Sequence, residues 1–219
     1  MIGWLLIVIA LAEVWLGFWF LTKYQKNQAT MWYGLFCFAV ALYVGANGLG
    51  YLGQWISGDT AEHLAWTGGL MTAVLFLPFS FSFPLPTRGN HELVPWVLWP
   101  AAIFIPGLLL TDIFVARSSI VAFGPGYATA TGELFWLLIV VFGLYWLWSL
   151  VNLVRAWRRA DGLHRRNTQL VTIGIVVSLV VSAVFDIALP LNAATKYGFI
   201  GSLFTSVWLC LTGYILVKK

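Results

Sequence analysis

Seven apolar runs divide the chain, at 2–22, 30–52, 64–83, 93–110, 134–154, 167–189 and 197–217. About 20 apolar residues, coiled as an α-helix rising 1.5 Å per residue, cross the roughly 30 Å hydrocarbon core of a bilayer. Within that core each backbone N–H and C=O must find its partner inside the protein, so an open chain can cross only as helices. Composition agrees, with 61% of the 219 residues hydrophobic and 9% charged. The reading is an all-α, seven-helix transmembrane bundle forming a single domain over residues 1–219, multi-pass in the cell's plasma (inner) membrane.

The basic residues set the expected orientation. Lys23, Lys26, Arg88, Arg155, Arg158, Arg159, Arg165, Arg166, Lys218 and Lys219 fall on one side of the seven spans, and only Arg117 and Lys196 on the other. Cytoplasmic loops retain Lys and Arg, so ten against two places the N-terminus outside and the C-terminus in the cytoplasm. The net charge of +4 then reports topology and gives no reason to expect a nucleic-acid partner. The first run has no basic leader and no small-residue cleavage site, so it reads as a retained span rather than a signal peptide. Cys37 and Cys210 both lie in apolar runs and read as small packing residues rather than a disulfide pair.

The fourth run is the shortest and carries Pro95, Pro100 and Pro106, which predicts a kinked helix whose freed carbonyls are satisfied by its neighbours. The expected outer loops are 53–63, 111–133 and 190–196. The middle one alternates apolar and polar residues around Arg117, then breaks at Gly124-Pro125-Gly126, which predicts a short β-hairpin, a lid or a plain connector.

Four polar residues stand out as candidates for ligand binding. Glu13 lies near the middle of the first span, where a charged carboxylate costs at least ~2.5–3.5 kcal/mol to insert. It is expected to face the bundle interior, to be neutral or to have a partner. Asn47 lies in the outer half of the second span among Gly45, Gly48 and Gly50, where small residues admit close helix approach. Asp186 lies four residues before Pro190, near the outer end of the sixth span, and Lys196 lies in the turn that follows. Together these residues predict an outer-half site among the first, second, sixth and seventh helices, open to a small or amphiphilic ligand, with Lys196 available to an anionic headgroup. The competing arrangement is a closed core in which the same groups bond to one another.

Other chemistry finds little support. Trp4, Trp55, Trp66, Trp96 and Trp136 fall near span ends and read as interface anchors. The deeper Trp15, Trp19, Trp99, Trp146, Trp148 and Trp208 read as packing or lipid contact. His63, His91 and His164 fall in three separate predicted loops on both sides of the membrane, so they cannot share a metal ion. Asp59, Glu62 and His63 read as a solvated outer cluster. There is no Ser–His–Asp arrangement, phosphate loop or HExxH, so neither an enzyme nor a cofactor site is expected. Seven spans with an outside N-terminus match retinal proteins in outline, but the seventh span lacks the mid-helix lysine that a Schiff base needs.

FGPGY at 123–127, R-x-x-R-R-A-D-G-x-H-R-R-N-T-Q at 155–169, the G-x-I-V-V run of the sixth span, F-D-I-A-L-P at 185–190, Y-G-F-I-G-S-L-F at 197–204 and the closing G-Y-I-L-V-K-K carry a resemblance. The chain resembles the N-terminal seven-helix membrane region of bacterial and archaeal sensor histidine kinases. The resemblance implies that the seventh helix feeds cytoplasmic signalling modules. Within these 219 residues there is no phospho-accepting histidine segment and no ATP-binding module. The chain is therefore expected to be either the sensor part of a longer protein or a stand-alone relative that acts through a cytoplasmic kinase partner. The function so implied is a non-enzymatic membrane sensor that relays an outer or intramembrane stimulus through its last helix. A structural or assembly subunit of a larger membrane complex is the alternative, and a small channel or transporter comes third.

Overall fold

The computed structural model describes residues 1–24, 27–53, 55–84, 94–116, 130–188, 197 and 199–218. Among them are seven α-helices: α1 (Ile2–Thr22), α2 (Gln28–Leu52), α3 (Gly58–Ser82), α4 (Val94–Leu110), α5 (Phe135–Arg159), α6 (Gly162–Ser182) and α7 (Phe199–Val217). The turn Ala183–Ala188 extends α6 with wider, π-type winding. Six of the seven helices are long and apolar enough to span a bilayer; α4, at 17 residues, is a shorter apolar helix.

Local chemistry sets the helix ends. At the start of α2, Asn27 accepts from the Thr30 amide at 3.0 Å and Thr30 Oγ1 accepts from the Asn27 amide at 3.3 Å. This reciprocal pair satisfies two of the donors that any helix start leaves open. At its other end Gly53 takes a left-handed φ of 62° and donates to Leu49 O, a stop that glycine makes without steric cost. Ser57 caps α3 by accepting from the Thr60 amide at 3.2 Å.

Helix α3 forms the centre of the bundle. In its most apolar window 72% of residues are buried, against 28% in α1, α5 and α6. It packs against α2, α4 and α5; α1 packs on α2, α6 on α5, and α7 on α6, α2 and α1. The chain thus closes into a ring, with α4 outside it against α3. Buried aromatics from four helices fill the interior: Phe36 of α2, Phe76 and Phe79 of α3, Trp146 of α5 and Trp208 of α7 lie with ring centroids 5.0–5.6 Å apart. Aromatic pairs at such spacing contribute beyond their buried area. Outside, apolar side chains face the lipid. On α1 these are Trp4, Leu5, Val8, Leu11, Trp15 and Phe18, one stripe at helical spacing.

Glycines bring α1 and α2 together. A Cβ on Gly17 would lie 3.0 Å from Gly34 O, and one on Gly48 would lie 3.1 Å from Gly3 O. This is the close approach expected of small residues in membrane helices.

The structure departs from the sequence reading in two places. The segment 155–166 is mostly helical rather than a loop. α5 runs to Arg159, α6 starts at Gly162, and only Ala160 and Asp161 join them. A helix need not end where the hydrocarbon ends, and Arg and Leu are good helix formers. Helix α3 begins six residues before the predicted span, so Asp59, Glu62 and His63 are helical. Glu62 and His63 are also buried, not solvated: 2% and 8% exposed, with His63 Nε2 bonded to Val115 O at 3.0 Å. The described flanks of the 111–133 segment pair as a short antiparallel ladder, Val115 with Thr131 and Ala116 with Ala130, and the segment between them lies outside the described residues. Arg117 and Gly124–Gly126 lie outside the described residues. The tryptophans read as deep divide between the two expected environments: Trp146 and Trp208 are buried, whereas Trp15 and Trp99 are more than 60% exposed on lipid-facing surfaces.

Candidate functional site

A line of polar contacts joins α7 to the hairpin formed by α1 and α2. At the N-terminal end of α7 the Phe199 amide, one of the open donors of a helix start, donates to Tyr51 Oη at 3.1 Å. One turn in, Asn47 Nδ2 donates to Ser202 Oγ at 3.2 Å. Ser206 Oγ donates to Ser202 O at 2.9 Å and faces the Glu13 carboxyl of α1. Next, Tyr33 Oη donates to Leu209 O at 2.6 Å and sits over Gly213, where a Cβ would come within 2.7 Å of it. At the C-terminal end of α7 Tyr24 Oη donates to Val217 O at 2.6 Å, satisfying a carbonyl that the end of α7 would leave open.

The positions on α7 are 199, 202, 206, 209, 213 and 217. Steps of three and four residues keep them on one face of a 3.6-residue helix. Their partners Tyr51, Asn47 and Tyr33 lie on α2, Glu13 lies on α1 and Tyr24 lies between the two. Four of these contacts are direct hydrogen bonds between elements. At about 0.6 kcal/mol for an average interhelical bond in a membrane, they contribute roughly 2–3 kcal/mol together. That is enough to bias the position of a helix.

Glu13 is the unsatisfied member of the line. It is 3% exposed, and neither carboxyl oxygen has a hydrogen-bond partner among the described residues. Ser206 faces it but gives its proton to Ser202 O. Tyr33, Cys37 and Cys210 lie within electrostatic reach. Two buried acceptors without a donor are costly and rare.

Of the four residues picked out in the sequence, Glu13 and Asn47 come together on the same α7 face through Ser206 and Ser202. Asp186 falls in the π-type turn that ends α6, and its side chain lies outside the described part. Lys196 and Pro190 lie outside the described residues. Sequence reasoning passed over Ser202, Ser206, Tyr33, Tyr51 and Tyr24. The two serines were recoverable, since serines four apart in an apolar run mark a helix-contact face. The tyrosines carried no such mark, because their partners are backbone carbonyls or an amide of a helix far along the chain.

The contact between α6 and α7 is also polar in part. Ser178 donates to Phe204 O at 3.3 Å, and Trp208 Nε1 donates to Val171 O at 3.1 Å. Gly174 makes room for the Trp208 ring, which a Cβ there would meet at 2.4 Å.

No curated protein matches this chain. A family model does, over residues 5–216: that of the N-terminal 7TM region of histidine kinase. The match spans all seven helices, including α7 and the hairpin that grips it, and so the chain belongs to the N-terminal seven-transmembrane regions of histidine kinases, membrane sensor modules for signal transduction.

Proposed function

We propose that the chain senses a stimulus at the level of Glu13 and passes it on as a change in how α7 sits against the α1–α2 hairpin. The carrying observation is the single polar face of α7, bonded at successive turns to Tyr51, Asn47, Tyr33 and Tyr24, with the unpartnered Glu13 carboxyl in its middle. A hydrogen-bond donor or cation arriving between α1 and α7 engages Glu13 and Ser206, and the balance of the weak bonds along the face changes. Asn47 belongs to the same ligand-responsive line. Asp186, in the wider turn of α6, and Lys196, three residues before α7 in the sequence, are the further residues proposed to contact the ligand. Wider turns of this kind recur at functional sites.

The ten-to-two distribution of basic residues supports an outside N-terminus and a cytoplasmic end of α7. The partner is then a cytoplasmic kinase, joined to or docked at the end of α7, and this membrane region does no catalysis. The test is phosphorylation of that kinase in membranes carrying Glu13→Leu or Ser206→Leu. The expected result is at least a roughly tenfold loss of stimulus response, equivalent to about 1.4 kcal/mol of coupling, with the protein still folded. A full response in both variants would refute the reading.

A further inference from the structure

The lipid-facing surfaces of α5 and α6 both end in arginine. On α5 the exposed residues Leu137, Val140, Leu144, Trp148 and Val151 fall on one line at 3.6 residues per turn, and Arg155, Arg158 and Arg159 continue it. All three arginines are exposed. On α6 the exposed Val184, Val180, Val177, Ile173, Leu170 and Leu163 form a similar line that includes the exposed Arg166. Arg165 lies beside it. The two helices pack against each other, so the two apolar lines run side by side to a shared basic end.

Helix length allows that end to lie beyond the hydrocarbon, where charged side chains are least costly. The 25 residues of α5 measure about 37 Å, some 7 Å more than the hydrocarbon core. The 24 apolar-span residues 162–185 measure about 36 Å. The overhang matches the roughly 5–7 Å headgroup layer on one side of a bilayer, and it consists of Arg155–Arg159 and the first turn of α6. Within 155–166 the only acidic residue is Asp161, and no side chain of these arginines makes an ion pair among the described residues.

We propose that this surface is a binding site for an anionic phospholipid, its acyl chains along the two apolar lines and its phosphate on Arg155, Arg158, Arg159 and Arg166. Arginine suits phosphate through its planar fork of donors, and basic patches between membrane helices hold anionic headgroups. Acyl chains occupy the apolar surface in any bilayer. The arginines in register with it select the headgroup. The site is independent of the Glu13 line.

The test is native mass spectrometry of the purified chain released from micelles holding equimolar phosphatidylglycerol and phosphatidylcholine with the same acyl chains. The wild type is expected to retain phosphatidylglycerol at least about fivefold over phosphatidylcholine. Arg155→Gln and Arg166→Gln should each reduce that preference about fivefold or remove it. Lys23→Gln, which removes an exposed charge away from these lines, should leave it unchanged, and glycerol phosphate should not displace the lipid. Circular dichroism confirms that each variant is folded. Equal retention of the two lipids by the wild type, the same loss in Lys23→Gln as in Arg155→Gln, or displacement by glycerol phosphate would each overturn the proposal.

Discussion

Asn47 and Ser202 are 155 positions apart in the chain, yet the Asn47 amide donates to the Ser202 hydroxyl at 3.2 Å. That bond ties the C-terminal half of α2 to the N-terminal half of α7. A double-mutant cycle with Asn47→Ala and Ser202→Ala, read by unfolding in mixed micelles, should give a coupling of about 0.6 kcal/mol and at most about 1.7 kcal/mol. A coupling indistinguishable from zero would mean that the two side chains only share a boundary.

Substitutions of Glu13 test stability separately from signalling. Its carboxyl oxygens are buried without a partner, so Glu13→Leu removes an uncompensated polar group and keeps much of the volume. The variant should unfold later than the wild type, by about 1–3 kcal/mol, and Glu13→Gln should change stability little. Residues kept against stability are expected at sites of function. Destabilisation by Glu13→Leu would instead show a partner that holds the carboxyl in place.

The glycines give predictions of opposite sign. A Cβ at Gly68 of α3 would lie 2.5 Å from the Tyr43 backbone nitrogen and 2.8 Å from its Cα. Gly68→Ala must push two buried helices apart, at a cost of about 1–3 kcal/mol. At Gly143 of α5 a Cβ meets nothing within 4 Å. Gly143→Ala should therefore stabilise the helix by about 0.5–1 kcal/mol through propensity alone. Thermal unfolding of the two variants checks both signs at once.

The seven spans were legible because a bilayer imposes length and apolarity on any helix that crosses it, and the runs at 2–22 and 197–217 show both without ambiguity. Glu13 and Asn47 stood out because a membrane penalises them wherever they lie. That they share one face of α7 was not legible, since it depends on how α7 is rotated against α2, and Tyr33 and Tyr24 bond to backbone carbonyls that every residue carries. The burial of Glu62 and His63 was hidden for a related reason. Their polarity placed them in a loop, whereas Ser57 caps α3 ahead of them and the flank at Val115 bonds to His63.

His63 anchors that flank. Its Nε2 bonds to Val115 O, and the same flank accepts amide bonds from Gly132 to Phe114 O at 3.1 Å and from Leu134 to Ile113 O at 2.8 Å. His63→Leu should release the ladder without unfolding the bundle. Hydrogen exchange at the Gly132 and Leu134 amides should then quicken about three- to tenfold, as expected for the loss of one bond, while exchange in α3 stays slow. Unchanged exchange at both amides would show that the ladder stands without the histidine.

The central claim is that α7 has two positions against the α1–α2 hairpin and that the polar face sets their balance. Spin labels at the exposed positions Leu163 and Val217, in a Cys210→Ser background in lipid nanodiscs, report on it through the distance between the α5–α6 turn and the end of α7. The account predicts two distance populations, with Tyr33→Phe shifting their ratio about three- to tenfold through the loss of its bond to Leu209 O and Glu13→Gln shifting it measurably. A single narrow distribution, identical in the wild type and both variants, would contradict it.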